Sequence, residues 1–149
     1  GLVGSEMCIR DSDTVNEFIP MADIVKISDE ELGFITGEKD IKAALPKLFT
    51  GNVKLVIYTC GSEGAYAFTN NAQAFTESEK VKAVDTTGAG DGFIGSFLYA
   101  LKTLSVTAEG LCDLDNAQLE RCIAFSNKFC GESVKHQGAI DSYRKIEFI

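Results

Sequence analysis

A glycine-rich turn with an aspartate at its end is the feature of this sequence best suited to chemistry. Residues 85–92 read DTTGAGDG, and they lie between a short apolar run and a strongly amphipathic stretch. Three glycines in five positions let the backbone turn tightly and approach a ligand without interference from side chains. The free N–H groups and positive dipole end of a following helix would face this turn. Together they predict an anion site suited to phosphate.

Asp91 falls in the first turn of the predicted helix, where its carboxylate can point at the bound anion. A carboxylate beside a phosphate raises the electrostatic energy of the site unless it accepts a proton or binds a metal ion. Phosphoryl transfer needs donors that absorb charge on the transferred group and a base for the attacking hydroxyl. The segment therefore indicates phosphoryl transfer, although a tight loop capped by Asp91 explains such a turn taken alone.

Two shorter patterns come earlier in the chain. Ser28 is followed three residues later by Glu31, which is the spacing of a capping box at the start of a helix. Thr59, Gly61 and Gly64 belong to the sequence TCGSEG, directly after a strongly apolar run. A strand, a turn and a strand with two glycines most often form a hairpin, so this pattern alone does not identify a site.

The elements that must position these residues can be read from hydrophobic periodicity. Strands are predicted over residues 22–27, 54–59, 65–69, 73–76 and 81–84. Helices are predicted from Ser28 to Gly37, over residues 40–49 with a late interruption at Pro46, over residues 90–104 and over residues 116–134. Strands interleaved with helices that must cover a sheet indicate an α/β layer architecture.

Composition restricts the class of partner. The chain of 149 residues carries 14 basic and 22 acidic side chains, a net charge of −8, and has no Lys/Arg cluster, which argues against nucleic-acid binding. No apolar run approaches the roughly 20 residues that span a bilayer, so no membrane partner is expected. Five cysteines without a CxxC pair are typical of a reducing cytosol, and we expect a cytoplasmic protein. Residues 1–12 lack periodicity and are expected to be a non-native or disordered leader, with one domain over residues 13–149.

The string DTTGAGD and the helix GFIGSFLYAL after it closely resemble the C-terminal signature of the ribokinase-like, PfkB-type carbohydrate kinases. The resemblance implies that Asp91 is the base that deprotonates the sugar hydroxyl. It implies that the backbone of Gly88, Ala89 and Gly90 forms the anion hole for the phosphoryl group transferred from ATP. The fold it implies is part of a ribokinase-like doubly wound α/β sheet with flanking helices.

Residues 22–37 look like the family segment that carries an Asn/Ser-x-x-Glu motif. This resemblance implies that Glu31 helps to organise Mg²⁺ and phosphate through water. Its capping function is physically sufficient on its own, and the two functions are compatible.

The sequence TCGSEG resembles the family's Thr-x-Gly-x-x-Gly nucleotide loop, which places Thr59, Gly61 and Gly64 near the ATP phosphates and ribose. Residues 124–140 are similar to the late helix and Gly-Ala turn that wall the adenine pocket. Asn127 and Gly138 would occupy those places.

The resemblance covers residues 13 to 141 but only the later half of the family's pattern. The glycine-rich N-terminal motif, the sugar-contacting residues and the lid sheet have no counterpart here. The resemblance thus implies the C-terminal, nucleotide-binding half of a kinase domain without the N-terminal half and lid, expected to be inactive or weakly active alone. Strands without their usual neighbours would be exposed edges, which favours aggregation or self-association, for instance as a homodimer.

The segment ADIVKISDEEL is more similar to the fructokinase branch than to other branches, so fructose is the sugar substrate we expect. A hypothesis from another class is a non-catalytic nucleotide- or partner-binding module derived from a kinase. The intact Asp91 argues against it, because a domain released from catalysis has no physical need for a carboxylate at an anion site. No GxGxxG follows a first strand and no GK[ST] occurs, which excludes simple dinucleotide and P-loop enzymes.

Overall fold

The computed structural model of the chain describes residues 16–78 and 89–133. Within these ranges, four strands form one mixed sheet in the order β1–β2–β3–β4. The strands are β1 (Ile24–Ser28), β2 (Leu55–Thr59), β3 (Ala65–Phe68) and β4 (Gln73–Thr76). β1 and β2 are parallel, whereas β2–β3 and β3–β4 are antiparallel pairs.

The described helices lie before, between and after these strands. The α-helices are α1 (Asp29–Thr36), α2 (Ile41–Leu48), α3 (Ala89–Thr103) and α4 (Asn116–Ser133), and short 3-10 helices cover Ile19–Met21, Gly61–Glu63 and Glu109–Asp113. The helices α1 and α2 form the crossover that the parallel pair β1–β2 requires. None of the helices in residues 16–78 and 89–133 has the length and apolar character needed to cross a membrane.

The sheet is covered on both faces, and β2 shows why. Its first three residues Leu55, Val56 and Ile57 are fully buried, as expected of a strand inside a layered α/β fold. Leu55 and Ile57 belong to the hydrophobic cluster that includes residues of α3 and α4, while Val56 belongs to the cluster that includes residues of α1 and α2. Successive side chains of a strand point to opposite faces, so one apolar run supplies both cores.

Most element boundaries agree with the sequence predictions to within two residues. The capping box is confirmed, because the Ser28 hydroxyl accepts from the Glu31 N–H while the Glu31 carboxylate accepts from the Ser28 N–H. Gly37 ends α1 with φ 74°, in the left-handed region. The predicted interruption at Pro46 is wrong, because α2 continues two residues beyond it. The helix ends two residues after the proline, so the missing N–H costs one hydrogen bond in its last turn. The predicted strand at residues 81–84 and the predicted leader at residues 1–12 lie outside the described residues.

Candidate active site

The two earlier motifs meet at one edge of the sheet. In the parallel pair β1–β2, Ser28 lies directly opposite Thr59, and these are the last residues of their strands. The capping turn from Ser28 to Glu31 and the loop that begins after Thr59 therefore leave the sheet side by side. In open α/β sheets, ligands bind in the crevice outside the carboxyl ends of parallel strands.

Glu31 is held in place by its own capping box. Its Oε1 accepts a hydrogen bond of 3.1 Å from the Ser28 N–H, and its N–H donates one of 3.2 Å to the Ser28 Oγ. The side chain is half-buried at the N-terminus of α1. This arrangement occupies one carboxylate oxygen and leaves the other for water or a cation.

The charges at this edge are negative. Burial raises the pKa of the Cys60 thiol, a hydrogen bond with Tyr58 lowers it, and the carboxylates of Asp29 and Glu63 raise it again. Burial, followed by the neighbouring Cys60, raises the pKa of Tyr58 to about 12. Both groups are neutral near pH 7, so Cys60 is a weak nucleophile here. An anionic ligand at this edge needs an accompanying cation or strong backbone donors.

A metal centre built only from side chains is absent from the part of the chain that the structure describes. No group of three or more His, Cys, Asp or Glu residues in it could hold a metal ion. Mg²⁺ commonly binds through one or two carboxylates, several waters and substrate phosphates instead. The single half-buried carboxylate of Glu31 fits that mode, with contact through water.

The loop between β2 and β3, which we call the glycine loop (residues 60–64), is closed by backbone hydrogen bonds of its own. The Cys60 N–H donates to the Gly64 carbonyl at 2.8 Å, and the Glu63 N–H donates to the Cys60 carbonyl at 3.1 Å. Gly61 has φ 55° and Gly64 has φ 132°, both in regions that favour glycine. The predicted strand, turn and strand are present, with one turn of 3-10 helix at Gly61–Glu63.

The glycine loop contacts the last residue of β4 and the two residues after it, which we call the β4 exit (residues 76–78). The Ser78 hydroxyl donates a hydrogen bond of 3.1 Å to the Gly61 carbonyl. A Cβ at Gly64 would lie 2.4 Å from the Thr76 carbonyl oxygen and 3.0 Å from the Glu77 Cα. Two backbones thus approach so closely at Gly64 that a side chain does not fit.

This close approach predicts different effects of alanine at the two glycines. Gly64→Ala combines a glycine-only conformation with a backbone clash, so we expect it to lower the free energy of unfolding by about 2–4 kcal/mol. Gly61→Ala is the matched control: a Cβ there meets nothing within 4 Å. Its left-handed conformation alone costs about 1 kcal/mol. Urea unfolding of both variants measures the difference, and equal losses would contradict the proposed contact.

Asn127 of α4 reaches the same place from the helix layer. It is only 6% exposed, and its side-chain amide donates to the Thr76 carbonyl at 2.9 Å and the Glu77 carbonyl at 3.2 Å. The structure therefore brings Asn127 to the β4 exit. Asn127 was predicted from the sequence as a site residue, but its contact with the β4 exit was not. The one feature of the sequence that could have indicated this contact is an amide side chain on the apolar face of an amphipathic helix.

Helix α3 begins inside the glycine-rich motif, at Ala89, so Asp91 lies in its first turn as predicted. The helix is anchored by an apolar stripe of side chains that are at least 95% buried: Phe93, Ile94, Phe97, Ala100 and Leu101. Gly88 and Gly138 lie outside the described residues, as do the side chains of Ala89 and Asp91. Their predicted functions remain predictions.

A separate cavity of about 460 Å³ contains none of the predicted site residues. It is lined by Asn16, Ile19, Pro20, Ile35, Thr36, Lys47 and Thr50. Ile35 and Thr36 are at the carboxyl end of α1, roughly 10 Å along the helix from its N-terminal turn. The cavity is therefore distinct from the edge where Ser28, Glu31 and the glycine loop meet.

The known proteins to which this chain is similar are carbohydrate kinases. The sequence pattern of the pfkB family carbohydrate kinases matches residues 7–146. "Probable fructokinase-5" of Arabidopsis thaliana is 36% identical over 120 residues, which cover 80% of this chain and 36% of that protein. The chain thus spans about a third of the length of the curated relatives it matches.

Two solved structures have the same fold. A fructokinase from Xylella fastidiosa with bound ATP superimposes with a TM-score of 0.82 at 24% identity, over 91% of this chain and 44% of that one. A double mutant of the Vibrio cholerae fructokinase, bound to fructose, ADP and potassium ion, gives a TM-score of 0.74 at 33% identity, over 88% of this chain and 40% of that one. The predicted ribokinase-like α/β fold is confirmed.

Proposed function

Since this chain belongs to the pfkB family of carbohydrate kinases, we propose that it is part of an enzyme that transfers the γ-phosphoryl group of ATP to a sugar hydroxyl. D-fructose is the first candidate for the sugar. The curated relatives of this chain are named fructokinases. The Vibrio cholerae structure holds fructose together with ADP, which is the product that ATP becomes after phosphoryl transfer.

The observation that carries this proposal is the start of α3 inside the motif GAGD. A 15-residue helix that begins at Ala89 presents unpaired backbone N–H groups and its positive dipole end at that point. We assign the backbone of Gly88, Ala89 and Gly90 to the anion hole and Asp91 to the base that accepts the proton of the sugar hydroxyl. Donors fixed on a helix that is anchored in the core need no rearrangement when charge develops in the transition state.

We place the nucleotide against the carboxyl edge of β1 and β2. Thr59, Gly61 and Gly64 would face its phosphates and ribose, since glycines permit the close approach of backbone to ligand. Asn127 and Gly138 would lie on the adenine side. The closeness of Asn127 to the β4 exit, which contacts the glycine loop, supports this placement.

Mg²⁺ would supply the positive charge that the acidic edge lacks, by neutralising the ATP phosphates during transfer. Glu31 would hold it through water, with the carboxylate oxygen that the capping box leaves available.

Glu31→Gln separates this proposed function from capping. Glutamine at the third helical position preserves a capping box, so the free energy of unfolding should change by less than about 1 kcal/mol. We expect the Mg²⁺ concentration for half-maximal activity to rise about tenfold or more, as for other lost outer-shell ligands. Glu30→Gln, an exposed neighbour in the same turn, is the matched control. If the Mg²⁺ dependence of activity is unchanged in Glu31→Gln, the function of Glu31 is limited to capping α1.

The chain spans about a third of the length of its curated relatives, and we assign the part that would hold the sugar to the remaining length. A base and an anion hole alone leave the sugar hydroxyl unpositioned, and positioning supplies a large share of the rate of phosphoryl transfer. We therefore expect this chain by itself to bind nucleotide weakly and to phosphorylate sugar poorly or not at all.

A cytoplasmic location goes with this proposal. The four cysteines in the described residues are free thiols. Free thiols persist in a reducing compartment, where ATP is also available.

The test is a coupled ATP-turnover assay with Mg²⁺ and a panel of sugars and nucleosides, run on this chain and on a version extended to the full-length transcript. We expect turnover with D-fructose from the extended protein and little from this chain. An extended protein that binds ATP but phosphorylates nothing in the panel would instead support a non-catalytic, kinase-derived binding module.

A further inference from the structure

The side chain of Asn127 connects helix α4 to the strand exit that supports the glycine loop. We propose that Asn127 is a positioning residue: it holds the β4 exit against the glycine loop and so shapes the loop for nucleotide before nucleotide binds. This inference rests on the proposed function, which assigns the glycine loop to ATP.

The contacts of Asn127 leave its amide nitrogen no capacity for a ligand. An amide nitrogen has two hydrogens, and here one faces the Thr76 carbonyl at 2.9 Å and the other the Glu77 carbonyl at 3.2 Å. Because both neighbours are acceptors, the nitrogen rather than the oxygen of the amide must face them. The amide nitrogen of Asn127 therefore acts on the nucleotide site through the backbone of the β4 exit.

Only the first residue of the β4 exit, Thr76, has a strand partner in the described part of the sheet. The last pair of the β3–β4 ladder joins Ala65 to Thr76, so Glu77 and Ser78 lie beyond the described sheet pairing. Asn127 fixes the first two residues of the exit by hydrogen bonds to their carbonyl groups. These bonds are partly buried, and losing them leaves carbonyl acceptors that are partly shielded from water without a donor.

The same three residues contact both glycines of the loop. Backbone atoms of Thr76 and Glu77 lie 2.4 Å and 3.0 Å from the position of a Cβ on Gly64, and the Ser78 hydroxyl donates to the Gly61 carbonyl. If the exit moves, the loop loses its support on that side. A loop that must be ordered by its ligand binds that ligand more weakly than a loop already in shape.

Helix α4 also holds the opposite end of β4, which provides a matched comparison. The Asn116 Oδ1 accepts a hydrogen bond of 2.9 Å from the Gln73 N–H, at the first residue of the strand. One helix thus fixes both ends of one strand through two asparagines. Only the Asn127 end adjoins the glycine loop.

The kinetic test compares Asn127→Ala with Asn116→Ala in the extended protein. We expect Asn127→Ala to raise the KM for ATP about five- to tenfold, the equivalent of one lost hydrogen bond, with kcat changed by less than about twofold. Asn116→Ala should leave the KM for ATP unchanged. Equal KM values in the two variants would overturn the inference, since both lose a bond between α4 and β4.

Ser78→Ala covers the case in which Asn127→Ala fails to fold. It removes only the bond at the loop end of the connection, and we expect the KM for ATP to rise two- to fivefold. If both variants fold, their effects on KM should fall short of additivity, because they act through one connection. Independent, fully additive effects, or no effect of Ser78→Ala, would contradict positioning through the exit.

Amide hydrogen exchange on this chain, without nucleotide, measures directly how well the glycine loop is ordered. We expect backbone amides of the glycine loop to exchange about tenfold faster in Asn127→Ala than in Asn116→Ala. If the extended wild-type protein neither binds nor uses ATP, the proposed function fails. The exchange rates of the loop amides then still test whether Asn127 holds the loop in shape. If ATP is used normally and loop exchange is unchanged, the inference fails and the proposed function stands.

Discussion

Asp91→Asn will lower kcat for sugar phosphorylation by about 10²–10⁴-fold in the extended protein, the usual contribution of a general base. Asparagine keeps the size of the side chain but cannot accept the proton of the attacking hydroxyl. Affinity for ATP should not weaken, because the substitution removes a negative charge beside the proposed phosphate site. Steady-state kinetics and a direct ATP-binding titration measure the two effects separately.

The control for this substitution is Asp113→Asn, the same chemical change at an exposed residue in the short helix Glu109–Asp113. It should leave both kcat and ATP affinity unchanged. A loss of ATP affinity in Asp91→Asn with undiminished kcat would assign Asp91 to binding and remove it from catalysis.

Phe97→Ala should have the largest effect on stability, about 3–5 kcal/mol in the free energy of unfolding. The Phe97 ring is fully buried and lies 6.4 Å from the Phe93 ring, in the cluster that also contains Leu55 and Ile57 of β2. Truncation leaves a cavity between α3 and the sheet. Since domains of this size are commonly stable by only 5–15 kcal/mol, we expect a large fall in the urea midpoint.

Tyr99→Ala on the same helix is the comparison. Its ring is 54% exposed and stacks on Phe125 with centroids 5.9 Å apart, so its truncation should cost less than about 1.5 kcal/mol. Similar urea midpoints for the two variants would show that α3 does not pack as described and would weaken the anion-hole proposal with it.

Elements determined by local sequence were predictable. The boundaries of α1 follow from Ser28, Glu31 and Gly37, whose side-chain and backbone chemistry begins and ends a helix within a few residues. The strand β2 follows from a continuous apolar run. The helices α3 and α4 follow from their apolar periodicity.

Contacts between distant parts of the chain were not predictable from local pattern. Nothing in the sequence pairs Ser28 with Thr59, or Asn127 with Thr76 at a separation of 51 residues. Such contacts depend on how the sheet and helix layers assemble. The family resemblance implied that assembly, whereas hydrophobic periodicity alone did not predict it. Identities of site residues could therefore be named from motifs, while the arrangement that joins the glycine loop, the β4 exit and α4 required the structure.

The most direct test of the account follows the phosphoryl group itself. The extended protein is incubated with γ-labelled ATP, Mg²⁺ and D-fructose, and the label is sought in the sugar, in inorganic phosphate and in the protein. We expect label in fructose, in an amount equal to the ADP formed, and about a hundredfold less or lower still when Asp91 is replaced by asparagine. Label found only in inorganic phosphate, or equal labelling of fructose by the Asp91→Asn protein, would contradict a sugar kinase that uses Asp91 as its base.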